Sequence, residues 1–141
     1  MKKVISLLVF VALFVSFSSA QSGPTMTFDA TEVDYGEIVQ GSDPLRIFKF
    51  KNTGNEPLII SNAKGSCGCT VASYPKEPIL RDETATIEVR YNTNRVGPFQ
   101  KTVTITTNES NNTHTLKIKG KVNAKPTEES VPSSKSGFGK N

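Results

Sequence analysis

Tryptophan is absent from this chain, histidine occurs once and cysteine twice. Each scarcity removes a class of chemistry. His114 is the only imidazole, so there is one side chain that ordinarily titrates near neutrality. No serine or cysteine stands in the sharp strand-to-helix turn of a nucleophile elbow. No glycine-rich phosphate loop occurs, and the acidic residues are scattered singly. These absences point to a non-enzymatic protein that needs no cofactor. The missing tryptophan also removes the Cys–Trp–Cys hallmark of antibody domains. After the first twenty residues, no run is apolar enough to span a bilayer.

A strong charge of one sign is lacking too. The 141-residue chain has 17 basic and 13 acidic residues, a formal +4. Without Lys2 and Lys3 the basic count is 15, so the balance falls to +2. Nucleic-acid readers concentrate positive charge on one face. Lys117, Lys119 and Lys121 do share a strand face, and it reads as a solvated outer face. No nucleic-acid partner is expected.

The first twenty residues have the three parts of a secretory signal peptide. Lys2 and Lys3 form a basic start. An apolar run from Val4 to Phe17 is broken only by Ser6 and Ser16, and Ser18-Ser19-Ala20 supplies small residues for a cleavage site. The run is shorter than the roughly 20 residues of a membrane span. Cleavage is therefore expected after Ala20, and no cysteine follows that could take a lipid. The expected address is exported, periplasmic or extracellular. The organisation read from composition is a signal peptide (1–20), a short lead (21–25), one domain (26–123) and a polar tail (124–141). Too few apolar residues stand in that tail to build a core. Phe138 and Val131 are its only large ones.

Short alternating runs between turn residues predict an all-β domain. Candidate strands are Met26–Phe28, Thr31–Tyr35 up to Gly36, Leu45–Asn52, Leu58–Ala63, Thr84–Tyr91, the run from Phe99 to Thr106, and the run from Leu116 to Val122. Thr84–Tyr91 alternates most clearly: Ala85, Ile87, Val89 and Tyr91 on one face, Thr84, Thr86, Glu88 and Arg90 on the other. A slip of one residue would expose the whole apolar set, so register is well determined. Asn52-Thr53-Gly54-Asn55-Glu56-Pro57 and Arg95-Val96-Gly97-Pro98 read as turns. Tyr74 to Pro78 and Asn108–Thr113 read as loops. About seven antiparallel strands in one immunoglobulin-like β-sandwich are expected.

Cys67-Gly68-Cys69 is the constellation that can carry chemistry. On an extended strand the two side chains share a face, with Cα atoms about 6.6–7 Å apart. That lies at the upper edge of disulfide geometry, so a bridge there would be strained and easily reduced, unless Gly68 bends the chain. Three readings stand side by side. One is structural: a bridge, or two small buried thiols. One is a redox pair. The third is a soft-metal site in which Cys67 and Cys69 are joined by His114. Asn108-Glu109-Ser110 and Asn111-Asn112-Thr113 match the N-glycosylation pattern, which matters only in a host with the matching transferase.

Three segments carry a resemblance: Phe48-Lys49-Phe50-Lys51-Asn52-Thr53-Gly54-Asn55-Glu56-Pro57-Leu58-Ile59-Ile60, then Ser66-Cys67-Gly68-Cys69-Thr70, then Tyr91-Asn92-Thr93 with Arg95-Val96-Gly97-Pro98-Phe99. Together they resemble a family of exported bacterial domains filed as domain of unknown function 1573. The likeness covers roughly Phe28 to Val122. It implies an immunoglobulin-like fold and an exported location, and it supplies no catalytic assignment. Its relatives include PapD-like domains that act as interaction modules. The expected role is therefore a non-enzymatic module of the cell envelope. It would bind an unknown envelope protein by pairing along a sheet edge. The alternative is a thiol-redox or metal-handling protein centred on Cys67 and Cys69.

Overall fold

The computed structural model describes residues 23–126. The expected signal peptide and nearly all of the polar tail lie outside the described residues. Eight strands form two four-stranded sheets. They are β1 (Met26–Phe28), β2 (Glu32–Val39), β3 (Leu45–Asn52), β4 (Ile60–Gly65), β5 (Thr70–Ser73), β6 (Thr84–Tyr91), β7 (Gly97–Thr107) and β8 (Thr113–Asn123). One sheet has the order β1-β3-β6-β5 and the other β2-β8-β7-β4. The all-β sandwich expected from alternation is the fold, with two differences.

The first difference is an eighth strand. Thr70–Ser73 is four residues long, with an exposed Val71 and a half-buried Ala72, so it carries no legible alternation. The second is one parallel pairing: β2 runs parallel to β8, while every other strand pair is antiparallel. Gly36 does not end β2 as the sequence suggested. It sits at φ 66°, where the β2–β8 register shifts between Asp34 and Glu37. The Gly36 N–H donates to the Asp34 carboxylate at 2.7 Å. A glycine with positive φ lets the strand bulge and continue.

Gly97-Pro98 likewise opens β7 instead of forming a turn. Val122 and Lys121 of β8 face these residues, whereas the pairing with β4 starts only at Val103. Pro98 has no N–H to give a second neighbour, and at this end of β7 no second strand is there to take one.

The core lies between the sheets. Phe48 and Phe50 of β3, Ile87 and Val89 of β6, Val103 and Ile105 of β7, and Leu116 and Ile118 of β8 are buried. These are the inward sets read from alternation. Phe28, expected inside, is partly buried and packs against this core. Tyr35, Ile79 and Met26 join it.

The Asn-Thr-Gly-Asn turn is also a clamp. Asn52 is fully buried. Its amide Nδ2 donates to the carbonyls of Glu56 (2.8 Å) and Ile79 (2.9 Å), and its Oδ1 accepts from the N–H groups of Gly54 (3.0 Å) and Thr25 (3.3 Å). A Cβ on Gly54 would collide with the backbone of Gly23, Pro24 and Thr25, so only glycine lets the lead segment cross there. Asn55 closes the clamp by accepting from the Gly23 N–H at 2.8 Å.

Two of the three lysines on the strand face are paired with acids. Lys119 lies 2.6 Å from Glu32 and 3.9 Å from Asp34, and Lys121 lies 3.5 Å from Glu37. Parallel pairing of β2 with β8 brings these acids alongside. The Lys119 ammonium holds the Glu32 carboxyl below its usual range by hydrogen bond and charge.

Candidate functional site

The two cysteines sit in the link that carries the chain from one sheet to the other. β4 belongs to one sheet and β5 to its partner, and Ser66 to Cys69 joins them. Such a crossing demands a sharp turn. Gly65 makes room for it, since a Cβ there would run into the Thr70 carbonyl. The Thr70 N–H donates to the Cys67 carbonyl at 3.2 Å, and the Asn92 N–H to the Cys69 carbonyl at 2.9 Å. Ser66 is tied twice to Thr102: its N–H donates to the Thr102 carbonyl at 2.8 Å, and its hydroxyl oxygen accepts from the Thr102 N–H at 3.2 Å.

Within this turn Cys67 and Cys69 form a disulfide with Cα atoms 5.3 Å apart. That corrects the extended spacing expected from the sequence. The residues are turned, not extended, and 5.3 Å falls inside the ordinary range for a bridge. Gly68 contributes no left-handed conformation, and a Cβ on it would meet nothing within 4 Å. The bridge closes a loop of sequence separation 2. Loop-closure entropy for such a short span is worth about 1.6 kcal/mol, against about 3 kcal/mol for a 15-residue loop.

Both cysteines are partly exposed, and Thr70 between the turn and the core is 4% exposed. The Thr70 hydroxyl lies 3.7 Å from Cys67 Sγ and 4.0 Å from Cys69 Sγ. It thus stands beside both sulfurs from the buried side.

The third expected metal ligand is elsewhere. His114 pairs across β7–β8 with Ile105, packs edge-on against Phe28 at 5.7 Å, and meets the Glu109 carboxylate at 2.6 Å. Glu109 also accepts from the Met26 N–H at 2.7 Å and the Thr107 hydroxyl at 2.8 Å. His114 is therefore part of a polar staple between β1 and the β7–β8 hairpin. The grouping of Cys67, Cys69 and His114 does not form. Among the described residues no three metal-ligating side chains cluster. Spacing along the sequence could not say which end of the sandwich His114 would occupy.

Beside the disulfide lies a shallow open depression of about 290 Å³. Gly68, Cys69 and Val71 line it together with Arg90, Tyr91, Pro44 and Asn92 to Asn94. The Pro44 carbonyl is held in place, accepting from the Tyr35 hydroxyl at 2.7 Å and from the Tyr91 N–H at 3.1 Å. Tyr91 stacks on Phe99 with ring centroids 3.8 Å apart. Sequence reasoning singled out the cysteines but missed this hollow, because Pro44, Val71 and Asn94 come from separate segments.

Burial pushes the Tyr35 hydroxyl above its ordinary value near 10, against the nearby Arg46 guanidinium, which pulls it down. Tyr35 stays neutral in the fold at a pH where an unfolded tyrosine ionises. Its contribution to stability is therefore whole below the ordinary tyrosine value and is lost as pH rises through the folded one. Phenolate absorbance of the folded protein should contain a late step from Tyr35, and Tyr35→Phe should remove it.

A family described as protein of unknown function, DUF1573, matches residues 26–122. The chain belongs to this family. The Cys-Gly-Cys-Thr turn and the Asn-Thr-Gly clamp both lie inside the matched span. No curated protein matches the chain. Among solved structures, a Porphyromonas gingivalis protein of unknown function superposes with TM-score 0.62 at 16% identity, covering 77% of this chain and 51% of its own. PapD-like domain 7 of human CEP192 gives 0.56 at 7% identity, covering 70% of this chain and 85% of its own. The YadV chaperone gives 0.54 at 14% identity, covering 70% and 52%. This chain thus spans about half the length of the first and the last. At such identities the likeness is one of fold: the chain is an immunoglobulin-like β-sandwich. Among the described residues no helix is long and apolar enough to cross a membrane.

Proposed function

We propose that this DUF1573 domain is a non-enzymatic interaction module of the cell envelope. In this reading it is delivered there by the leader and binds an extended segment of another envelope protein along β5. The open β5 edge carries the reading. β4 and β5 are the edge strands on one side of the sandwich. The β4 edge is partly covered, for the Tyr74 hydroxyl donates to the Ser61 carbonyl at 3.1 Å and Lys76 sits 3.4 Å over the Tyr74 ring. Among the described residues β5 has no such cover, and its Val71 side chain is 62% exposed. On the outer face Arg90 stands in register between Leu45 and Val71, with the exposed Ile47 one step along β3. An added strand would gain backbone hydrogen bonds from the edge and side-chain contacts from this apolar row and the neighbouring depression. The PapD-like likeness, which includes a chaperone, fits such use of the fold.

The test is a photo-crosslinking residue at position 71 in living cells, with position 86 as control. Thr86 is exposed but lies on the inner strand β6. One recurrent envelope protein joined at 71 and absent at 86 is the expected result. Equal labelling at both positions, or none at 71, would remove the β5 reading. Mass analysis of the same material tests the address: the chain should begin at Gln21 in the envelope fraction, and an intact Met1 in the cytoplasm would overturn it.

A further inference from the structure

We propose that the Cys67–Cys69 bridge is an exchange-active disulfide that accepts electrons from thiols entering the depression beside it. This stands apart from the β5 reading, because small thiols can test it without any protein partner. Three observations carry it. The bridge is structurally redundant: the turn is already held by backbone hydrogen bonds from Thr70 to Cys67, Asn92 to Cys69 and Ser66 to Thr102, and so short a loop gains little entropy from closure. The bridge is also reachable. Cys69 lines the open depression, and Gly68 leaves open space over it that the fold itself does not require. Finally, the buried Thr70 hydroxyl reaches both sulfurs, nearer to Cys67. It is placed to donate to a thiolate as the bond opens.

The chemistry follows from that layout. An incoming thiolate attacks Cys69 Sγ in the depression and forms a mixed disulfide. The Sγ–Sγ bond breaks, and its electron pair leaves on Cys67, whose thiolate receives the Thr70 hydroxyl hydrogen bond and then takes up a proton from solvent. A second thiolate attacks the incoming sulfur of the mixed disulfide and releases Cys69 as a thiolate, which is protonated in turn. Two thiols are oxidised to one disulfide, and the protein disulfide is reduced to two thiols. The substrate class is a cysteine-bearing peptide or a small thiol, and a disulfide of the same class drives the reverse step.

The experiment uses the mature chain in buffers of reduced and oxidised glutathione, quenched with an alkylating agent and read by intact mass. The bridge should open at millimolar reduced glutathione while the near-ultraviolet circular dichroism of the folded domain persists. Cys67→Ser should trap one glutathione on Cys69. Gly68→Leu, which has room to fold, should shield the bridge and slow opening about tenfold or more. Thr70→Val should slow it at least about threefold, while Thr70→Ser, which keeps the hydroxyl, restores the rate. A bridge that stays closed in the folded protein and opens only in denaturant would overturn the proposal. So would opening that unfolds the domain, or a Gly68→Leu protein that exchanges as fast as its parent.

Discussion

Asn52→Leu should lower the unfolding free energy by about 4 kcal/mol, since each orphaned buried partner costs about 1–3 kcal/mol. Leucine keeps the branched side-chain skeleton but offers no hydrogen bond. The carbonyls of Glu56 and Ile79 lose their donor, and the N–H groups of Gly54 and Thr25 lose their acceptor. These four groups come from the lead segment, the turn after β3 and the loop before β6, so one side chain binds three parts of the chain. Fully buried, it has no water to replace it. Urea unfolding should show a much lower midpoint. A loss below about 1 kcal/mol would mean that the partners find other bonds and that the clamp is misread.

The second large effect is expected at Gly65. Gly65→Ala places a methyl group against the Thr70 carbonyl and close to the Thr70 Cβ. Backbone cannot rotate away as a side chain can, so the sheet crossing must shift, at a cost of about 3 kcal/mol. Gly68→Ala, three residues on, should change stability by less than about 0.5 kcal/mol, because its Cβ meets nothing and its φ is not left-handed. The pair makes a sharp comparison by thermal melting. Equal losses at both positions would show that the turn is tight throughout.

These two glycines also show where sequence reading stops. They stand three residues apart, yet one is required by a close approach of backbone and the other is not, a difference that no local pattern signals. β3 and β6 were legible to the residue, since each buries one face and alternates over eight residues. β5 was not, because an edge strand of four residues with its large side chain in solvent leaves no pattern. Asn52 read as a turn former because asparagine tolerates unusual backbone angles. Its burial depends on Ile79, which is 27 residues away. The cysteines were singled out as a candidate pair, but their spacing was judged on an extended chain, and the sheet crossing that bends them is a tertiary fact. His114 was offered as a third ligand in one of three readings, and the topology keeps it apart from the cysteines.

The strand order also sets a schedule for folding. Every pairing in the sheet β2-β8-β7-β4 involves β7 or β8. A chain arriving from its N-terminus can complete β1, β3, β6 and β5 by Tyr91, while β2 and β4 still have no strand to pair with. The apolar face of that first sheet must then wait uncovered until the last two strands appear. β7 and β8 are neighbours in sequence and pair over ten positions, so their hairpin is the cheapest to close. It is the natural seed on which β2 and β4 assemble, and a chain cut short before Gly97 would hold half a sandwich with its interior open to association.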